Sequence, residues 1–219
     1  MLQTLLAVLD WCGIAVFAVS GALVASRKEM DLVGFALLGT VTGIGGGTLR
    51  DLLLGGAPVF WVRDPVPLLI CVAVSSLVFV TAHIPQSRYR LLLWADALGL
   101  ALFAVSGAAT ALQAGAGPTV AVAMGVVTAT FGGVIRDVLG GESPVVLSRE
   151  IYVTAALAGA AAYVLALEAG AGREAAAVLG FACALALRGA ALARGWSLPR
   201  YRPRPGRTRG EVERLRDRG

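Results

Sequence analysis

The chain has 219 residues, of which 57% are hydrophobic and only 15% are charged, and its mean hydropathy is +0.77. Soluble domains carry about 25% charged residues, so this composition excludes an ordinary soluble protein and predicts an all-α integral membrane protein. The formal net charge of +5 does not indicate nucleic-acid binding, because the basic excess lies in the tail after Arg194.

Apolar stretches of membrane-spanning length follow one another along almost the entire chain. A helix needs about 20 apolar residues to cross about 30 Å of hydrocarbon. We expect the first stretch to be a retained helix and not a cleaved signal peptide, since no positively charged segment precedes it. The seven predicted spans are residues 4–24, 31–54, 66–82, 91–112, 118–139, 150–167 and 174–192.

Residue types that build disulfides, metal sites and catalytic centres are sparse in this sequence. Cys12, Cys71 and Cys183 lie far apart within apolar stretches, which predicts buried free thiols. The only histidine, His83, lies at the end of a predicted span. We therefore predict neither an enzyme nor a bound cofactor.

An internal repeat runs through the chain at a constant offset of 86 residues. Residues 10–22 match residues 96–108 at nine of thirteen positions, and the register continues without a gap to Pro58 and Pro144. The identities include Asp, Gly, Phe and Ser, which unrelated apolar helices do not share by chance. A repeat of this kind indicates that one structural unit, here a group of helices, occurs twice in the chain.

Each repeat holds three predicted spans, so the second copy enters the membrane from the opposite side. The predicted fold is therefore two inverted three-helix repeats plus a seventh helix, with substrate or ion sites near the membrane midplane. The predicted units are residues 4–90, 91–170 and 171–193, followed by a loosely ordered basic tail, 194–219.

Basic residues predict the orientation, because cytoplasmic loops are the ones rich in Lys and Arg. A cytoplasmic tail and seven spans put the amino terminus outside. The inner loops then carry Arg27, Lys28, Arg88, Arg90 and Arg149, and the outer loops carry Arg63 and Arg173. The bias agrees with the number of spans, and the basic tail is a candidate for contact with anionic lipids.

Two glycine-rich segments, each with an adjacent Arg-Asp pair, recur at the repeat offset: residues 39–51 read GTVTGIGGGTLRD and residues 125–137 read GVVTATFGGVIRD. Each glycine costs up to ~1 kcal/mol of helix propensity. We predict that the glycines interrupt the second and fifth spans and release backbone carbonyls beside a cavity; close helix packing is the alternative. The predicted interruption sites are Gly45, Gly46, Gly47, Gly132 and Gly133.

Charged side chains inside the apolar spans fall into two predicted clusters. The first cluster consists of Asp10, Arg50 and Asp51, and the second of Asp96, Arg136 and Asp137. Each holds one Arg and two Asp, so one negative charge remains uncompensated. Two interpretations are open: salt bridges that only lock helices, or a path for a small cation. Hydroxyls predicted beside this path are Thr42, Thr48, Thr128, Thr130, Ser20 and Ser106, although serines in membrane helices often bond to their own backbone.

The doubled motif Gly-Gly-x-x-Arg-Asp, at residues 46–51 and 132–137, resembles prokaryotic members of the trimeric intracellular cation channel (TRIC) family. The likeness covers about residues 5–195. It implies a homotrimer in the bacterial inner membrane, with a pore in each protomer lined by kinked second and fifth helices. It also implies passive conduction of monovalent cations, chiefly potassium, and no stably bound metal. The five glycines would mark the kinks, and the two Arg-Asp pairs the pore charges.

Two features depart from that pattern. Phe131 stands where the first copy has Gly45, and the lysine-based phosphoinositide site of animal members has no convincing match. We predict a potassium-permeable channel whose partners are further copies of the chain, lipids, and potassium or sodium ions, without nucleic acid. The alternatives are a transporter of a small zwitterion such as glycine, with Arg50 or Arg136 binding its carboxylate, and a structural membrane protein.

Overall fold

The computed structural model describes residues 2–84, 87–199, 206 and 209–217, with side chains described from residue 7 onward except at 211–213. These residues form α-helices and one 3-10 helix, Val145–Leu147. The α-helices are α1 Leu2–Arg27, α2 Leu32–Leu53, α3 Phe60–Arg63, α4 Val66–Thr81, α5 Arg88–Gln113, α6 Pro118–Leu139, α7 Val153–Glu168, α8 Arg173–Arg194 and α9 Arg209–Arg216.

All seven predicted spans are helical, but their lengths differ. Within the described residues, α1, α2, α5, α6 and α8 are long and apolar enough to cross a membrane. Helices α4 and α7 have 16 residues each, or roughly 24 Å, which is less than the hydrocarbon thickness. Three short helices in the described part of the chain were not predicted: α3, the 3-10 helix Val145–Leu147, and α9 in the tail expected to be loosely ordered. Much of that tail lies outside the described residues.

Local chemistry explains where several helices begin and end. The Asp31 carboxylate accepts a hydrogen bond from the Gly34 amide at 2.8 Å and caps α2, as acidic and hydroxyl side chains do at a helix start. Pro118 is the first residue of α6, where the missing amide proton carries no cost. Gly195 ends α8 in the left-handed region, with φ 67°, as glycine commonly does at a helix end.

Helices α1 and α5 pack together through equivalent residues of the two repeats. The Phe17 and Phe103 rings meet edge to face, with centroids 5.0 Å apart. A methyl group at Gly13 would lie 2.8 Å from the Phe103 ring, and one at Gly99 would overlap the Phe17 ring. Position 13 faces 103 and position 17 faces 99, so the two helices are antiparallel and the contact is reciprocal.

The centre of the bundle is α5, which contacts α1, α6, α7 and α8. Its inner surface is rich in Ala, Gly and Ser, and small residues let helix backbones approach closely. All three cysteines are free thiols, but only Cys71 is buried, while Cys12 is exposed and Cys183 partly so. The expectation of buried thiols is right for Cys71 alone.

Candidate functional site

Helices α2 and α6 carry the glycine-rich segments, and both run without a break from Leu32 to Leu53 and from Pro118 to Leu139. The predicted interruption at Gly45, Gly46, Gly47, Gly132 and Gly133 is therefore wrong, and no carbonyl is released by a helix break. Each glycine still weakens the helix by about 1 kcal/mol. Contacts between the helices explain why the chain keeps these glycines.

The two helices cross at Gly46 and Gly132. A methyl group at Gly46 would overlap the carbonyl oxygen of Thr128, and one at Gly132 would overlap the carbonyl oxygen of Thr42. These pairs are equivalent at the repeat offset, so α2 and α6 are antiparallel and touch through the same residues. The glycines permit a backbone-to-backbone approach, which is the close-packing alternative.

Neighbouring glycines also face occupied space. A methyl group at Gly45 would lie 2.7 Å from Ile135 Cδ1, and one at Gly47 would lie 2.8 Å from the Phe60 ring. Phe131, which replaces the glycine equivalent to Gly45, is 37% exposed. The departure at this position thus places an aromatic ring on the partly exposed surface of α6.

In the first cluster, Arg50 bonds only to its neighbour in the chain among the described residues. Its Nε and Nη2 atoms donate to Asp51 Oδ1 at 2.9 and 2.8 Å, and Asp51 Oδ2 accepts from the Phe60 amide at 2.8 Å. Asp10 lies close enough to both side chains for electrostatic interaction. Its Oδ1 atom is nevertheless buried without a hydrogen-bond partner in the described part of the chain.

In the second cluster, Arg136 binds both aspartates. Its Nε donates to Asp137 Oδ1 at 2.9 Å, and its Nη1 donates to Asp96 Oδ1 at 2.5 Å and to Ser20 Oγ at 3.0 Å. Arg136, Asp96 and Asp137 are at most 3% exposed. Of the two clusters, this is the one whose arginine bonds to both of its aspartates.

Asp51 and Asp137 also hold the loops that follow α2 and α6. Each uses one carboxylate oxygen for its arginine and the other for a backbone amide where the next helix begins: Phe60 for Asp51, and Val145, at 3.0 Å, for Asp137. A carboxylate is favourable at a helix start. Both Arg-Asp pairs therefore have a structural task, and their part in conduction stays a prediction.

Five of the six predicted pore hydroxyls donate to a carbonyl of their own helix. Ser20, Thr42, Thr48, Thr128 and Thr130 bond to the carbonyls of Phe17, Leu38, Ile44, Met124 and Val126, at 2.5 to 3.0 Å. Such back-bonding is common for Ser and Thr within helices. Ser106 differs, because its fully buried hydroxyl has no hydrogen-bond partner among the residues described.

One buried arginine escaped the sequence reasoning. Arg188 of α8 is 1% exposed and donates from Nη2 to Glu150 Oε2 at 2.6 Å. Its guanidinium also lies 5.1 Å from the Tyr152 ring centroid, and Tyr152 packs beside Gly133 and Arg136. A lone arginine within an apolar helix is a recognisable signal. The search for repeated motifs missed it because α8 has no repeat partner.

Known proteins resemble this chain along most of its length. The profile of the family described as Glycine transporter matches residues 7–83 and again residues 93–168. The crystal structure of the TRIC trimeric intracellular cation channel orthologue from Rhodobacter sphaeroides is 63% identical, with a TM-score of 0.87, and the match covers 89% of this chain and 100% of that one.

Bacterial membrane proteins are similar as well. The UPF0126 inner membrane protein YadS of Escherichia coli K12 is 42% identical over 152 residues, which is 69% of this chain and 73% of YadS. A UPF0126 membrane protein of Vibrio cholerae is 40% identical over 202 residues, or 90% of this chain and 83% of that protein. The similarity therefore includes both copies of the repeat.

Proposed function

The chain belongs to the TRIC family of cation channels, and on that premise we propose that it conducts potassium and other monovalent cations passively, as a homotrimer with a pore in each protomer. The supporting observation is the pair of charge clusters inside an apolar helix bundle. A buried charge is expensive in a membrane, and such residues commonly mark substrate and ion paths. Each cluster has two aspartates and one arginine, so one negative charge is left over.

The conformation described here is the closed one in this proposal. Gly46 and Gly132 bring the backbones of α2 and α6 into direct contact between the two clusters. A hydrated cation needs these helices to move apart at that crossing. Without released carbonyls, the ligands left to a cation are carboxylates, hydroxyls and water. In this proposal the glycines allow α2 and α6 either to touch, as described here, or to lie apart when a cation passes.

Transport of a small zwitterion such as glycine is the second candidate, because the matching family profile carries that description. It would use an arginine to hold the carboxylate of the substrate. In the described structure Arg50 is bonded to Asp51, and Arg136 is bonded to Asp96 and Asp137. Neither guanidinium is free for a substrate, which favours the channel.

Purified protein in planar bilayers tests the function. A channel gives unitary currents that reverse at the potassium equilibrium potential, whereas a transporter gives saturable glycine uptake without unitary currents. Asp137→Asn should lower cation conductance or selectivity more than Asp217→Asn in the exposed tail. Equal effects of the two substitutions would contradict a pore at the clusters.

We also propose that seven helices cross the membrane, as two inverted three-helix repeats plus α8, with the amino terminus outside and the tail in the cytoplasm. The reciprocal, antiparallel pairs α1–α5 and α2–α6 support this arrangement. Arg27 and Lys28 lie 3.1 and 3.7 Å from Glu142. The first and third predicted inner loops are therefore in contact, as two loops on the same side of the membrane can be. Thiol labelling of single cysteines in the loops, from each side, tests the orientation, and native mass spectrometry tests the trimer.

A further inference from the structure

Ser20 and Asp96 are joined by a cation, whereas their equivalents in the other repeat are not. Arg136 Nη1 lies between Asp96 Oδ1, at 2.5 Å, and Ser20 Oγ, at 3.0 Å. At the repeat offset these residues correspond to Asp10 and Ser106. Asp10 Oδ1 and Ser106 Oγ are both buried and have no hydrogen-bond partner in the described ranges.

Helix packing places Asp10 and Ser106 opposite each other. The antiparallel pair α1–α5 is fixed by the contact of Gly13 with the Phe103 ring. Asp10 lies three residues before Gly13 and Ser106 lies three residues after Phe103, so each is almost one turn away in the same direction. The Ser106 hydroxyl lies within hydrogen-bonding reach of the Asp10 carboxylate, so the two oxygens are near enough to coordinate the same cation.

We propose that a monovalent alkali cation binds between Asp10 and Ser106, at the position that Arg136 Nη1 occupies in the other repeat. This inference rests on the proposed function and locates within it the first binding site of the path, near the outer end in the proposed orientation. Ser106 is 0% exposed and Asp10 Oδ1 is buried without a hydrogen bond among the described residues, and a buried carboxylate oxygen that is not satisfied costs free energy. A bound cation lowers that cost, because the carboxylate and the hydroxyl oxygen then coordinate it together.

The ligands favour a monovalent ion. Calcium takes six to eight oxygens, commonly from several carboxylates, but both oxygens of the neighbouring Asp51 are already engaged, by Arg50 and by the Phe60 amide. No group of three or more His, Cys, Asp or Glu side chains suited to a metal occurs in the described residues. One carboxylate and one hydroxyl, completed by water, suit a weakly held and exchangeable ion, which conduction requires.

The binding site can be tested without measuring currents. The melting temperature of the full-length protein in detergent is followed as potassium chloride replaces choline chloride at constant ionic strength. A ligand that binds only the folded state raises the melting temperature in a saturable way. We expect this rise in the wild type, in Ser20→Ala and in Asp217→Asn, and its loss in Asp10→Asn and Ser106→Ala. A full rise in both of the latter variants, or none in the wild type, would overturn the site.

Currents separate this inference from the proposed function. We expect Asp10→Asn to raise the potassium concentration for half-maximal unitary conductance about tenfold, equivalent to about 1.4 kcal/mol of binding free energy. An unchanged concentration, together with unchanged potassium-dependent stabilisation, rejects the site and leaves the channel intact. A wild type that gains stability through Asp10 and Ser106 but carries no current supports the site and rejects the channel.

Discussion

The two charge clusters consist of the same residue types at the same repeat positions, and yet they are bonded differently. In the second cluster Arg136 joins Asp96, Asp137 and Ser20, while in the first cluster Arg50 bonds to Asp51. Duplication thus supplies the same charges twice, but the surroundings decide which carboxylate each arginine reaches. In the second cluster Arg136 bridges Asp96 and Ser20, whereas in the first cluster no arginine among the described residues bridges Asp10 and Ser106.

The helix without a repeat partner accounts for part of this difference. Helix α8 packs on α5 and α7, and its Arg188 holds Glu150 and lies against Tyr152. Tyr152 in turn covers the second cluster and is 2% exposed. The first repeat has no such additional helix, and Arg50 lies instead 5.8 Å from the centroid of the partly buried Phe60 ring. Helix α8 and Tyr152 therefore add cover to the second cluster, and the first cluster has no equivalent of them in the part of the chain that the structure describes.

The largest expected effect is the loss of Arg136. Arg136→Met leaves Asp96, which is 1% exposed, without a cation, and breaking a buried ion pair costs about 3–5 kcal/mol. Arg50→Met should cost less, roughly 1–3 kcal/mol, because Asp51 keeps the Phe60 amide. Denaturant unfolding of the purified variants measures both free energies.

A second substitution checks the cause of that loss. Asp96→Asn in the Arg136→Met background removes the unpaired charge and should recover part of the lost stability. The asymmetry between the clusters would be refuted by equal losses for Arg136→Met and Arg50→Met.

The reciprocal crossing of α2 and α6 should give similar losses in its two halves. Gly46→Ala and Gly132→Ala each place a methyl group on a carbonyl oxygen of the facing helix, and overpacking of this kind costs about 1–3 kcal/mol. Gly206→Ala, in the exposed tail, is the control, since nothing lies within 4 Å of a methyl group there, and should change stability by less than about 0.5 kcal/mol. Thermal unfolding in detergent gives the ranking, and a tolerated Gly46→Ala would show that the helices do not touch there.

Periodicity, composition and the repeat predicted the helices well. The seven predicted spans all became helices, with ends within a few residues of the expected ones, because Pro118, Gly195 and similar residues act locally. The short lengths of α4 and α7, Val66–Thr81 and Val153–Glu168, agree with the short predicted spans 66–82 and 150–167.

The site was harder to predict because it depends on contacts between distant segments. Helix propensity argued for a break at Gly46, but propensity is a weak prior that tertiary packing overrides, and the facing Thr128 carbonyl explains the glycine. Likewise, Arg50 and Arg136 have similar neighbours in the sequence. Tyr152, just before α7, lies beside Arg136, and Arg188 of α8 lies against Tyr152. Such contacts between distant segments are not visible in the local sequence.

A smaller effect is expected from Arg188, which supports the second cluster indirectly. Arg188→Met removes the bonds to Glu150 and to the Ile151 carbonyl and should cost about 1–3 kcal/mol, as hydrogen bonds to charged groups do. Arg194→Met, at the exposed end of the same helix, is the control and should cost less than about 0.5 kcal/mol. If both variants unfold at the same denaturant concentration, α8 does not stabilise that half.

The smallest expected effect is the difference in stability between Ser20→Ala and Ser106→Ala. In potassium-free choline buffer, Ser20→Ala removes the hydroxyl that accepts from Arg136 Nη1 and should cost about 1 kcal/mol, the usual net value of a hydrogen bond. Ser106→Ala removes a hydroxyl without a partner in the described structure, so it should be neutral or slightly stabilising. Unfolding free energies of the two variants, measured side by side, provide the check. A loss at Ser106 equal to that at Ser20 would mean that the Ser106 hydroxyl is hydrogen-bonded in the native state, to the Asp10 carboxylate within its reach, and the two serines would then be equivalent.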